Sequence, residues 1–158
     1  MAKQSAARRL RPLPAEPEPA PLWRLCAEQL GRPVSSEAEL LYFVTHAPLS
    51  MSVVQKLLKH GWHLDEIHST VIPRRTFAFR KSRGQTVLTA EETDRAVRGA
   101  RIVALAETVF GDRVKALAWL RKPKSFLDGR APMQVLALSE PTRLIEEKLL
   151  QLDYGMAA

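Results

Sequence analysis

From Ser36 to Asp153 apolar residues return every three or four positions, segment after segment. No stretch alternates with the period of two that a half-buried strand requires. That pattern points to one fold class, all-α, and the helix-breaking residues divide it. Ser36 is placed to cap a helix whose Leu40, Phe43, Val44 and Ala47 share a face, ended by Pro48. Ser50 opens a second helix, with Val54, Leu57 and Leu58 apolar, that stops at Gly61, since glycine accepts the positive φ of a helix end. A short segment follows from Leu64 to Ser69, with Leu64 and Ile67 expected inward. Pro73 suits the first position of a helix running to about Arg83 and closed by Gly84. Thr89 and Glu92 form a capping box, each side chain satisfying a backbone donor that the other's turn leaves orphaned. The helix they open carries Ile102, Leu105, Ala106, Val109 and Phe110 on one face and ends at Gly111. Asp112 caps the next, with Val114, Leu117, Ala118 and Leu120 apolar and Trp119 expected in the core. Pro123 breaks it. A loop through Asp128 and Gly129 leads to a short helix near Pro132. A last helix, from about Pro141 to Asp153, buries Ile145, Leu149 and Leu152 and is terminated by Gly155.

Residues 1–35 read differently. Five prolines fall between Pro12 and Pro21, and proline removes donors and fixes φ, which favours an extended tail. Arg8, Arg9 and Arg11 precede them, as a basic arm or a plain leader. Ordered structure can begin near Trp23 and Leu25. The expected organisation is a Pro-rich tail over 1–35, a helix-turn-helix-like unit over 36–88, and a helical unit over 89–158.

The net charge of +7 is unevenly held. Residues 1–90 carry 13 Lys and Arg against 7 Asp and Glu, whereas 91–158 carry 11 against 10. Between Ile67 and Ala90 there are five bases, Arg74, Arg75, Arg80, Lys81 and Arg83, and no acid. Such a local positive field attracts polyanions, nucleic acid foremost; a solvated charged face is the alternative. Little points to catalysis. The carboxylates are scattered or sit at helix starts, where capping accounts for them. No glycine-rich phosphate loop is present. His60 and His63 lie close together but far in sequence from the one cysteine, Cys26, so no metal set is indicated. The chain therefore reads as a non-enzyme without cofactor or metal. A single cysteine excludes an internal disulfide framework and fits a reducing cytoplasm. No apolar run approaches the roughly 20 residues that cross a bilayer, and no apolar stretch follows the first basic residues to make a secretory signal.

Leu64 to Arg83 has the outline of a helix-turn-helix, in which the second helix enters the major groove and its first residues reach base edges. Arg74 and Arg75 are candidates for pairing with guanine, and Thr76 for phosphate or base. Arg80, Lys81 and Arg83 suit the DNA backbone. Phe77 should face the core. Phe79, about 200° from it around the helix, cannot share that face.

The C-terminal part carries a series of spaced anchors. They run from the Thr89 capping box through Ala-Glu-Thr-Val-Phe-Gly-Asp at 106–112 and Ala-Trp-Leu at 118–120. Lys122-Pro123-Lys124, Leu127, Gly129, Pro132-Met133 and the stretch from Leu149 to Gly155 follow. Over roughly Glu37 to Gly155, and most specifically over 89–155, the chain resembles the Xre/MbcA/ParS antitoxins, the partners of RES-domain toxins. It departs from them at Ala131, where threonine is common, and near Pro141-Thr142, where a glycine is missing. The resemblance implies an N-terminal Xre-type helix-turn-helix, a C-terminal toxin-binding domain, homodimerisation, repression of the toxin–antitoxin operon and no catalytic activity. The implied toxin resembles ADP-ribosyltransferases and consumes NAD. Arg121, Lys122 and Lys124 are then candidates for meeting an acidic toxin surface. Leu149, Tyr154, Gly155 and Met156, in the last helix and the tail behind it, are candidates for covering the toxin's NAD pocket. A stand-alone regulator whose C-terminal half only dimerises is the alternative, and a helical adaptor for RNA or acidic protein a third.

Overall fold

A computed structural model of the chain describes residues 20–156. The basic arm at Arg8, Arg9 and Arg11 and the last two residues lie outside that range. Eight α-helices follow one another: α1 Pro21–Leu30, α2 Glu37–Thr45, α3 Val53–Lys59, α4 Leu64–Thr70, α5 Arg74–Ser82, α6 Ala90–Phe110, α7 Arg113–Arg121 and α8 Ser139–Met156. Two 3₁₀ turns, Ser125–Leu127 and Pro132–Gln134, connect α7 to α8. Among the described residues there is no strand, only an isolated antiparallel bridge between Ser50 and Val87. The all-α expectation holds.

Three of the predicted starts are where the capping chemistry put them; Ser50 does not open α3, which Ser52 precedes without a side-chain capping bond, and Pro73 stands at the N-cap of α5 rather than at its first position. Ser36 Oγ accepts from the Glu39 N–H, Asp112 Oδ1 from the Lys115 N–H at 2.8 Å, and the Thr89–Glu92 box is reciprocal. Gly111, at φ 65°, ends α6 by donating to Glu107 O. With 21 residues α6 is about 30 Å long. It is the axis of the molecule, packed by α1, α2, α4, α7 and α8. Its alanines and single glycine let those helices approach closely, and Ala96, Ala100, Ala104 and Ala106 are fully buried.

Four expectations are corrected. The tail does not extend to residue 35. Pro21 fixes the first turn of α1, whose Cys26, Gln29 and Leu30 are buried, and Val34 beyond it is buried too. Burial pushes the Cys26 thiol up to about 12. The apolar spacing after Pro21 outweighs the proline content before it, because a proline at N1 costs a helix nothing. Leu64, at the first position of α4, is exposed, while Ile67 and Thr70 form the inward face. In α7 the inward face is Ala116, Leu117 and Leu120, which leaves Val114 and Ala118 in solvent. Finally, α8 begins at Ser139 and continues through Gly155 to Met156, so Gly155 is not its terminus. Thr142, Ile145 and Leu149 are buried along one stripe, but Leu152 is exposed because no other element reaches that turn.

One connected core holds α1–α4 and α6–α8 together. At its centre the Trp62 indole N–H donates to Gln29 Oε1 at 3.0 Å, and Gln29 Nε2 donates to Ala100 O at 2.9 Å. Both side chains are buried, so each hydrogen bond replaces one lost to water.

Candidate functional site

Helices α4 and α5 are joined by Val71, Ile72 and Pro73. Val71 and Ile72 are buried, and the Ile72 carbonyl meets His68 Nδ1 at 2.8 Å. Phe77 packs on the core and on the His68 ring, at 5.8 Å between centroids. The inner face of α5 is thereby fixed. On its outer face Arg74, Arg75, Lys81 and Arg83 are exposed, while Thr76 is half-buried at the margin. Arg74 lies 3.6 Å from Asp65 Oδ1, but both side chains are well solvated and such a pair holds little. Phe79, 57% exposed, packs under the Arg83 guanidinium at 5.2 Å, which settles its place outside the core.

Arg80 departs from the expected set. Its Nη1 donates to Glu92 Oε2 at 2.5 Å, with the carboxylate buried at the first turn of α6. Burial drives the Glu92 carboxyl up, but the Arg80 hydrogen bond and the Thr89 N–H outweigh it and hold the group below its ordinary range. Arg80 therefore faces the protein, and the outward cationic face is Arg74, Arg75, Lys81 and Arg83.

Just after α7 Lys122 is exposed, and Lys124 Nζ sits over the Trp119 ring at 4.3 Å. Desolvation, and then the charge of Lys122, lower the Lys124 ammonium's pKa. Trp119 is half-buried and meets Phe110 at 5.9 Å, so it belongs to the core margin. Arg121 is engaged inside the chain. Its Nε donates to Glu66 Oε1 at 2.7 Å, and its Nη2 to Glu66 Oε2 at 2.9 Å and to Gly61 O at 2.7 Å. Leu149 is fully buried and leaves the set of surface candidates for the same reason that it stabilises α8. Tyr154 is 77% exposed and Gly155 follows it within the helix. From Leu150 to Gly155 every residue is exposed, so the end of α8 stands clear of the body.

A further cluster was not signalled by the sequence. His60 Nε2 meets Glu107 Oε1, and the Arg113 Nε donates to both Glu107 oxygens at 3.3 Å. Glu28 comes within 3.6 Å of Arg113 and 3.9 Å of His60. Three stretches distant in sequence meet there, around 28, 60 and 107–113, and none of the four residues has a local pattern that announces it. Among the described residues no three His, Cys, Asp or Glu side chains converge to hold a metal ion, and no helix is long and apolar enough to cross a membrane.

Residues 105–155 match the family model described as the antitoxin Xre/MbcA/ParS C-terminal toxin-binding domain. The C-terminal third of the chain is thus similar to that toxin-binding domain. The matched region takes in the end of α6, all of α7, both 3₁₀ turns and α8 to its last turn. An Antitoxin Xre of Pseudomonas putida is 43% identical over 100 residues, 63% of this chain and 62% of that protein. The matched stretch thus spans less than two thirds of the relative's length. An Antitoxin Xre of Yersinia enterocolitica is 27% identical over 145 residues, 89% of this chain and 95% of that protein.

Proposed function

We propose that the chain is a non-enzymatic antitoxin that neutralises a RES-domain toxin and binds its own operator. The observation that carries the reading is the match of residues 105–155 to a toxin-binding domain, taken with the exposed end of α8 at its far edge. A helix end bearing Leu150, Leu152 and Tyr154 in solvent has apolar surface without a partner in the chain. In this reading Tyr154, Gly155 and Met156 enter or cover the NAD pocket of the toxin, whose NAD degradation or ADP-ribosylation is then blocked by occlusion. Lys122 and Lys124 meet acidic surface nearby.

The outer face of α5 supports the second activity. Arg74 and Arg75 stand at the start of the helix that follows the turn, where base edges are in reach. Lys81 and Arg83 serve phosphates. Self-association fits the shallow groove of about 320 Å³ among α2, α6 and α8. Its charges are already paired within the chain, as in Arg98–Asp94 and Arg101–Glu146, and exposed Leu41 and Tyr42 stand at α2. A cytoplasmic homodimer is the expected form.

Affinity purification of the tagged chain from nuclease-treated cells tests the main reading. A stoichiometric partner that consumes NAD once released supports it. Recovery of DNA or of the chain alone favours the stand-alone regulator instead. Deleting residues 154–158 should release the NAD-consuming activity while DNA binding persists. Full neutralisation by that truncated chain would overturn the assignment of the α8 end.

A further inference from the structure

Glu66 and Glu92 hold the same position in two different helices. Each is the third residue of its helix and the acidic member of a capping box. Each carboxylate accepts the N–H of its N-cap residue, His63 at 2.7 Å and Thr89 at 2.9 Å. Each also takes a guanidinium from another element: Arg121 at the end of α7 for Glu66, and Arg80 near the end of α5 for Glu92. The Arg121 pair is bidentate and adds the Gly61 carbonyl. Both pairs are withdrawn from solvent, with side-chain exposures of 29% and 15% for Arg121 and Glu66, and 18% and 6% for Arg80 and Glu92. Charge-assisted contacts of that kind hold geometry far better than the solvated Arg74–Asp65 pair.

Together they bracket α4 and α5. One fastens the first turn of α4 to α7, and the other fastens the far end of α5 to α6. Between them the apolar anchors are Ile67, Val71 and Ile72 near the turn and Phe77 on α5. Beside Arg121 and Glu66 lies an open cleft of about 470 Å³, bordered by Ser69, Met133 and Gln134. Packing does not fill the seam there, so the ion pair spans it.

We propose that Arg121, although it lies within the C-terminal region 105–155, is a positioning residue for DNA: through Glu66 it holds α4, and so the angle at which α5 presents Arg74, Arg75 and Lys81. The inference rests on the operator-binding reading of α5. Its consequence is linkage between the two ends. A partner that draws Arg121 away from Glu66 weakens DNA binding, and DNA weakens that partner by the same factor.

The test uses the full chain and labelled duplexes tiling the DNA immediately upstream of its own coding sequence, titrated over a range of salt. Glu66→Gln keeps an oxygen for the His63 N–H but loses the charge; Arg121→Met removes the guanidinium. Each should weaken binding about tenfold, within the usual range of coupling between sites, with the salt slope of the unmodified chain. Lys81→Ala, a direct phosphate contact, should instead lower the slope by about 0.9. Wild-type affinity in both clamp variants overturns the inference and leaves the DNA reading standing. So does a slope lowered by about 0.9 in Arg121→Met, which would make Arg121 a phosphate contact. A loss accounted for by a smaller active fraction, measured by stoichiometric titration, also overturns it. If Lys81→Ala and Arg75→Ala bind as the unmodified chain does, the DNA reading fails and takes the inference with it.

Discussion

The edge of the Trp62 indole lies where a Cβ on residue 99 would be, at 2.7 Å, and that ring is buried and hydrogen-bonded. It cannot swing away without breaking its bond to Gln29. Gly99→Ala should therefore destabilise the fold by about 1–3 kcal/mol, as overpacking does, in spite of the better helix propensity of alanine. A denaturation midpoint equal to that of the unmodified chain would show that the indole has room to shift. Glu66 and Glu92 lead to a second expectation. Burial raises both carboxyls, but the arginine and backbone hydrogen bonds lower them further, so both sit below 4.5 in the folded chain. Unfolding returns them to about that value, and the unfolded chain then binds protons first as the solution is acidified. Their stabilisation is complete above about pH 4.5 and is lost as pH falls through the folded-state values. Thermal melts should show Glu92→Gln less stable at neutral pH and its deficit shrinking as the solution is acidified below about pH 4.5. A deficit that stays constant would mean that Glu92 acts through shape alone.

At the scale of elements, much of the fold was legible because capping is local chemistry. Ser36, Thr89, Glu92, Gly111 and Asp112 state their roles within four residues of sequence, and those helix ends stand as read. Faces were less legible than ends. Val114 and Leu152 fit the apolar spacing of their helices, but a helix presents more apolar positions than its neighbours cover, and only packing decides which are used. Leu149, read both as a buried position of the last helix and as a toxin contact, is core. Arg80 and Arg121 were recognised as cations in the right regions, but their acidic partners lie 12 and 55 residues away, beyond any local pattern. The end of α8 yields a further expectation. Gly155 lies inside the helix with open space around the position of a Cβ. Gly155→Ala should therefore raise helicity at that end, by about 0.5–1 kcal/mol of helix propensity, seen as slower amide exchange at residues 152–156. If the same substitution weakens the proposed toxin contact, close backbone approach is the reason for glycine there.

For the whole molecule, α6 is shared property. It is packed by α1, α2, α4, α7 and α8, and one connected set of buried residues runs the length of it. A boundary at residue 88 divides the chain by charge and by proposed activity, but it falls at the start of the helix around which both parts fold. Residues 36–88 without α6 would expose Leu57, Trp62 and Ile67, each buried in the intact chain. The buried His60–Glu107–Arg113 contacts cross the same boundary. Loss of either part would also strip His60 and Glu107 of each other's contact. The chain should then unfold as a single cooperative unit. The three tryptophans make this measurable: Trp23 is in α1, Trp62 follows α3 and Trp119 is in α7. Variants that retain one tryptophan at a time, each compared only with its own circular dichroism, should show fluorescence and helicity changing together in urea. Separation of the Trp119 transition from the helical one would establish an independently stable C-terminal domain. A joint transition would mean instead that a partner bound at α8 stabilises α5 as well, since what binds the native state protects all that unfolds with it.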